Sequence, residues 1–245
     1  MYPNLLGEFL GTMTLTAFGC GVVANLLLKD SKGNGAGWVH VNWGWAFSVM
    51  MGVYVAAAFG APEGDINPAV TLFKLLTGIA GYSFMQAIFT IVAQFAGGIA
   101  GGALVYLLYS NHWGATEDAG LKLAVFGTGP ARRNLGANCL TETIATVFLI
   151  MGIMCIFKVY PASGADLGIG PMLVGFLIYV LGSAMGGPTG YALNPARDMG
   201  PRIAHAILPI PGKGKNDWQY GLMVATVGPI VGALVAVFAY KLAGF

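Results

Sequence analysis

Two copies of one tripeptide hold the most pointed chemistry in this sequence: Asn67-Pro68-Ala69 and Asn194-Pro195-Ala196, the second followed by Arg197-Asp198. Asn is a favoured helix N-cap, and Pro is tolerated at the first helical position, where its missing N–H would have no partner anyway. Both tripeptides therefore read as helix starts. A capping Asn uses its side-chain oxygen on backbone N–H groups and leaves its NH2 as a fixed pair of donors. Arg197 adds guanidinium donors directly beside the second tripeptide, in a chain poor in charge overall. Glu8 and Glu142 each open a long apolar run, with a Thr four residues on (Thr12 and Thr146). Carboxylates inside such runs are costly and mark function or anchoring, so a proton relay and an acceptor for backbone N–H groups are both open. His40, His112 and His205 show neither metal-ligand spacing nor a nucleophile partner and are expected at interfaces or the surface, so neither catalysis nor a metal or cofactor is expected.

The elements that position these residues follow from composition. The 245 residues include only 12 Lys and Arg and 10 Asp and Glu, which is 9% charged against about 25% in soluble domains. Apolar residues reach 56% and glycine numbers 38. A soluble domain so short of charge would expose large apolar patches, and a disordered chain would need the opposite composition. A net charge of +2 leaves no basic footprint for nucleic acid. Cys20, Cys139 and Cys155 fall in or beside apolar runs, so no disulfide framework is expected.

What remains is a polytopic, all-α membrane protein. About 20 apolar residues cross a hydrocarbon core of roughly 30 Å. Six stretches qualify: 5–28, 39–59, 84–109, 136–158, 171–187 and 220–243, the fifth the least sharply bounded. The first lacks a basic region with a cleavage site behind it, so it reads as a retained helix. Small residues at Gly97, Gly98, Gly101, Gly102, Gly228 and Gly232 predict close helix packing.

Each tripeptide lies between spans and opens a helix of about ten residues, roughly 15 Å and half a bilayer core. The chain then reads as two units, about 1–110 and 136–245, joined by a loop at about 111–135. Each unit holds three spans and one half-helix after its second span. Odd span numbers force opposite orientations, giving an inverted repeat whose half-helices meet N-terminus to N-terminus.

On both Asn-Pro-Ala boxes and both helix-opening glutamates, the whole chain resembles the major intrinsic protein family of aquaporins and glycerol facilitators. Asn194-Pro195-Ala196-Arg197-Asp198 and Gly228-Pro229-Ile230-Val231-Gly232 are most similar to its glycerol-conducting branch. The resemblance implies one channel domain, a passive path for glycerol and water with protons and ions excluded, and a homotetramer in the cell membrane. It implies a selectivity filter of Gly182, Tyr191, Arg197 and a second-span residue. Alignment through Gly52-Val53-Tyr54 makes that residue Trp45, and counting back without an insertion makes it Phe47; Trp45 is preferred. Glycine at 182 is expected to leave room that a His fills in water-selective members. The Tyr191 hydroxyl is either a polar handle, admitting urea, dihydroxyacetone or protonated hydroxy acids, or bonded to the outer wall. Gly64, Asp65, Ile66, Gly190, Ala192 and Leu193 are expected to line the path with carbonyls, and Glu8 and Glu142 to buttress those loops.

The sequence departs from the family before the first box, where Gly60-Ala61-Pro62-Glu63-Gly64-Asp65-Ile66 has no His. Asp65 there either places a carboxylate near the pore mouth or is a solvated loop acid, and the solvated acid is preferred. Orientation also conflicts. Lys29, Lys32, Lys122, Arg132, Arg133, Arg197, Arg202, Lys213 and Lys215 fall outside if the termini are inside, against the positive-inside rule. The resemblance puts both termini in the cytoplasm and is followed. A water-selective channel, or a coupled secondary transporter with its own broken helices, are the alternative functions.

Overall fold

A computed structural model describes residues 2–159 and 168–244, and no strand occurs among them. The helices are α1 (Leu5–Leu27), α2 (Trp38–Ala58), α3 (Pro68–Thr77), α4 (Phe84–Leu108), α5 (Ala119–Phe126), α6 (Leu135–Val159), α7 (Gly170–Met185), α8 (Pro195–Ile207), α9 (Trp218–Met223) and α10 (Val227–Ala243). Helices α1, α2, α4 and α6 and the unit Trp218–Ala243 are long and apolar enough to cross a membrane. The sixth span is α7, with 16 residues, or about 24 Å. The short helices α3 and α8 have 10 and 13 residues and cannot span alone. The order is thus span, span, half-helix, span, stated twice.

Two elements differ from the sequence expectation. The last span is broken at 224–226, because the Pro229 ring lacks an N–H and crowds the carbonyl four residues before it. The 111–135 connection is not merely a loop. It contains α5, capped by Asp118 Oδ1, which accepts from the Gly120 and Leu121 amides at 2.6 and 3.2 Å. Phe126 at the end of α5 stacks on Trp113 with ring centroids 5.5 Å apart.

Glycine sets how closely the helices approach. A Cβ on Gly98 would lie 2.5 Å from the Ala196 carbonyl oxygen, and one on Gly102 would lie 3.0 Å from Pro201 Cα. This face of α4 therefore lies directly on the first turns of α8. Its neighbouring face, at Gly97 and Gly101, meets the α1 backbone as closely. A Cβ on Gly228 or Gly232 would lie 2.7 Å from Glu142 Cβ or from the Thr143 carbonyl oxygen, which seats α10 on α6. Without a hydrophobic driving force between helices in lipid, such backbone proximity is what holds the bundle together. Large apolar residues such as Leu107, Leu108, Phe148 and Phe238 point outward instead.

Candidate functional site

The half-helices meet at their N-termini inside the bundle. Asn67 Oδ1 accepts from the Ala69 amide at 2.9 Å, and Asn194 Oδ1 from the Ala196 and Arg197 amides at 2.9 and 3.1 Å. Pro68 and Pro195 follow at the first helical positions. Each Asn also reaches across to the other half. Asn67 Nδ2 donates to the Leu193 carbonyl at 3.0 Å, and Asn194 Nδ2 to the Ile66 carbonyl at 2.7 Å. The expected pair of free donors on each Asn is therefore reduced to one N–H, since the other ties the two halves together.

The loops before each Asn follow an unusual path. Ile66 (φ 43°), Tyr191 (φ 39°) and Leu193 (φ 55°) all occupy the left-handed region, at a cost of about 1–3 kcal/mol each. Two buried carboxylates face them. Glu8 accepts from the Asp65 and Ile66 amides, both at 2.8 Å, and Glu142 from the Ala192 and Leu193 amides at 3.0 and 2.9 Å. In a trans peptide the carbonyl points opposite to the amide N–H of the next residue. Amides turned onto the glutamates therefore turn the carbonyls of Gly64 and Asp65, and of Tyr191 and Ala192, the other way.

They turn toward a narrow cavity of about 70 Å³ running past both Asn residues, room for a few waters or one small solute. The two loops and the starts of the half-helices contribute Gly64, Asp65, Ile66, Asn67, Ala192, Leu193, Asn194 and Arg197 to its wall. Helices α1, α2, α6 and α7 contribute apolar side chains, among them Leu15, Val49, Val53, Leu149, Val174 and Ile178. Leu15 and Leu149 went unnoticed in the sequence. Each stands seven residues after its glutamate, on the same helix face, and this repeated spacing is a signal that could have found them.

In the wall of this cavity the Arg197 guanidinium carbon lies 3.6 Å from the centroid of the Trp45 ring, and Tyr191 joins them. Trp45 is buried at 3% exposure, whereas Phe47, at 49%, points out of the bundle and stacks on Trp43. Residues two apart on a helix diverge by about 200°, so only one of them can face inward. The space over Gly182 is not open. A Cβ there would lie 2.7 Å from Tyr191 Cζ and 2.6 Å from Asn42 Oδ1, so the missing side chain makes a seat for the Tyr191 ring. Gly19 of α1 does the same for the Trp45 indole. Neither Gly182 nor Gly190 is in the cavity wall. The Tyr191 hydroxyl is buried without a hydrogen-bond partner among the described residues, so the outer-wall bond is not made.

Two further expectations are corrected. Asp65 is not solvated: its side chain is fully buried in an ion pair with Lys74, Nζ to Oδ1 2.7 Å. His205 is not at an interface or surface. It is fully buried in α8, where its Nδ1 meets Asn216 Oδ1. Gln94 was missed altogether. It donates to Glu8 at 2.8 Å and to Thr71 at 2.9 Å, and an amide near the middle of an apolar span was the available signal. In the second half, Asp198 accepts from the Thr128 amide and hydroxyl at 2.6 and 2.7 Å, and Arg202 binds Asp198 at 2.8 Å.

The profile of the major intrinsic protein family matches residues 1–240 of the chain. A "Probable glycerol uptake facilitator protein" of Thermotoga maritima is 48% identical over 236 residues, covering 96% of this chain and 97% of that protein. "Glycerol uptake facilitator protein 3" of Lactiplantibacillus plantarum is 45% identical over 97% of this chain and 95% of its own length. Among solved structures, the aquaglyceroporin from Plasmodium falciparum superposes with a TM-score of 0.80 at 27% identity, covering 98% of this chain and 96% of that one.

Proposed function

The chain belongs to the major intrinsic protein family, and from that premise we propose that the cavity between its half-helices is a passive channel for glycerol and other small neutral solutes, with water. It is a channel and not an enzyme. The observation that carries the solute reading is the wall itself, which combines apolar side chains from α1, α2, α6 and α7 with loop backbone, two Asn N–H groups and Arg197. A polyol has the same two characters, a carbon backbone and a row of hydroxyls.

Trp45, Tyr191 and Arg197 form the selectivity filter in this reading, with Gly182 acting through the ring it seats. Trp45 and Tyr191 take up the carbon edge of the solute, and the guanidinium donates to its hydroxyls. The solute then passes along the carbonyls of Gly64, Asp65 and Ile66 and of Tyr191, Ala192 and Leu193. At Asn67 and Asn194 the one free N–H of each side chain turns the oxygen of a passing water or hydroxyl toward itself. The positive ends of two helix dipoles converge at this point, which repels cations and opposes proton passage. Glu8 and Glu142 act as buttresses and not as a relay, since each is already engaged by consecutive backbone amides.

We further assign the protein to the cell membrane as a homotetramer with one pore per subunit and both termini cytoplasmic. The opposing charge count weakens on inspection of its members. Arg197 and Arg202 are buried, Lys122 binds the Pro211 carbonyl, and Lys213 bonds three carbonyls at the end of α8. Charges so consumed by the fold are weak topological signals. Protease access to the 111–133 loop in sealed cells tests the orientation.

Stopped-flow light scattering of proteoliposomes tests the function, with glycerol, urea, dihydroxyacetone, small hydroxy acids and water as permeants. Rapid, non-saturating glycerol flux is expected. Rapid water flux without glycerol would return the reading to a water-selective channel, and flux abolished by collapsing a proton gradient would return it to a coupled transporter.

A further inference from the structure

One group of charges in the pore wall has no part in the mechanism above. Lys74 stands in the last turn of α3 and carries its ammonium back over the loop that precedes the helix. It lies 2.7 Å from Asp65 Oδ1, 2.8 Å from Glu63 Oε2 and 2.9 Å from the Glu63 carbonyl oxygen. The Asp65 side chain is fully buried, and its other oxygen accepts from the Thr71 hydroxyl at 2.8 Å. Thr71 is held in turn by Gln94, which also binds Glu8. The loop 63–66 is thus gripped from two sides. Glu8 holds its amides, and Lys74 holds two of its side chains and a carbonyl.

Lys74, Glu63, Gly64 and Asp65 all line the cavity. The second half is built differently. Its carboxylate, Asp198, lies after the Asn box within α8 and pairs with Arg202 in the same helix. Among the described residues, an ion pair between a half-helix and the loop that precedes it therefore occurs only at the Glu63–Lys74 end of the pore.

We propose that the Lys74–Asp65–Glu63 cluster is a clamp that sets the register of the carbonyls at residues 64–66, and that this register determines how well the pore carries a polyol relative to water. The proposal rests on the glycerol-channel reading. Lys74 is a positioning residue. A water molecule can rotate and tolerate carbonyls displaced by a few tenths of an ångström. The hydroxyls of a polyol are fixed to one carbon chain and need several acceptors in register at once. Loosening the loop therefore slows polyols more than water. The buried Asp65 carboxylate makes the clamp obligatory, because a buried charge left without its partner is strongly destabilising.

The test uses the full-length protein in proteoliposomes, with glycerol and water fluxes measured on each variant. Lys74→Met keeps an unbranched side chain one atom shorter and removes the charge. Loss of one well-placed hydrogen bond in transit corresponds to about a fivefold fall in glycerol permeability, with water expected to fall less than about twofold. Lys74→Arg, which keeps the charge within reach of both carboxylates, is expected to recover at least half of the glycerol flux. Asp65→Asn/Lys74→Met removes the orphaned charge, so it folds even where the single variant does not. It should show the same lowered glycerol-to-water ratio, no worse than the singles.

Glycerol and water fluxes that stay in wild-type proportion in both Lys74→Met and the double variant would overturn the clamp. So would equal losses of both fluxes, which a merely structural role predicts. If the wild-type protein passes water and no glycerol, the channel reading is corrected. The clamp is then judged on the activation energy of water flux, which must rise in the double variant for the clamp to stand.

Discussion

Replacing Glu142 by Gln asks how much of the pore depends on one carboxylate. Glu142 receives two backbone amides, Ala192 at 3.0 Å and Leu193 at 2.9 Å. Hydrogen bonds to a charged group are worth about 1.5–3 kcal/mol each, so the pair supplies about 3–6 kcal/mol. Against this stand Tyr191 at φ 39° and Leu193 at φ 55°, each strained by about 1–3 kcal/mol, or about 2–6 kcal/mol together. The two terms are of the same size, so the carboxylate decides whether the loop keeps its shape.

A Gln of the same outline can still accept one amide through its oxygen. Its NH2 faces the other amide, donor against donor, so one charge-assisted bond is lost and one buried N–H is left unsatisfied at about 1–3 kcal/mol. A net loss of about 3 kcal/mol corresponds to roughly a hundredfold fall in the population of the conducting loop, and relaxation nearby brings the expected loss of glycerol flux to about 10- to 100-fold. Stopped-flow glycerol uptake into proteoliposomes reads this directly, with thermal unfolding in detergent to register the parallel loss of stability. Glu142→Gln carrying glycerol within twofold of the wild type would refute the reasoning. A proton relay predicts otherwise: downhill glycerol flux would survive and only gradient-driven accumulation would vanish.

Gly182→His is expected to depress glycerol flux at least tenfold and water flux less, because its Cβ alone would lie 2.7 Å from Tyr191 Cζ and must push the ring toward the cavity; unchanged glycerol flux in the same assay counts against the seat. Gly98→Ala should destabilise the bundle by about 1–3 kcal/mol through overpacking on the Ala196 carbonyl, 2.5 Å away. Gly21→Ala, with nothing within 4 Å of its Cβ, should be stabilising by about 0.5–1 kcal/mol, and a Gly98→Ala melting temperature at or above that of Gly21→Ala would sink the packing account. The Asp217 carboxyl is held below the usual Asp range, chiefly by hydrogen bonds from Arg133 at 2.6 and 2.8 Å. A depressed folded-state value contributes stability above the unfolded pKa of about 3.9 that is lost as pH falls through the folded value. Both side chains are partly exposed, so the contribution is under about 1 kcal/mol, and Asp217→Asn should lower the melting temperature slightly at pH 7, by an amount that shrinks as the pH is taken down below the usual Asp range.

The spans could be read in the sequence to within a residue or two, 84–109 against Phe84–Leu108 for example, because length and apolarity are local quantities. The helix starts at Asn67 and Asn194 were legible for the same reason, since a cap and a following Pro act within three residues. What could not be read depends on chain segments that meet only in the fold. Asp65 looked solvated because nothing in its loop reveals that Lys74 returns over it after two turns of helix. The absent side chain of Gly182 was visible, but the Tyr191 ring that occupies its place reaches it from another element. The free NH2 expected on each Asn was halved by a carbonyl from the opposite half of the chain, more than 120 residues away.

The two halves agree where their chemistry is set by backbone and differ where it is set by charge. Each has an Asn cap, a glutamate bound to two consecutive amides, and a Leu seven residues beyond that glutamate in the pore wall. These parts hold strained loops and orient carbonyls, and strain and carbonyl direction are the same problem whichever way a half is inserted. The charges face different problems. In the second half, Arg197 is left free of the Asp198–Arg202 pair and lies against Trp45 in the pore wall, a placement that lets it meet a solute. In the first half the cation is Lys74, and it is occupied by Glu63 and Asp65. A second unneutralised cation in the same narrow path would add a barrier of one sign and give a neutral solute nothing that Arg197 does not already provide. A paired lysine holds the loop without that field, so a scaffold repeated in both halves places, among the described residues, a single unpaired cation, Arg197, in the wall.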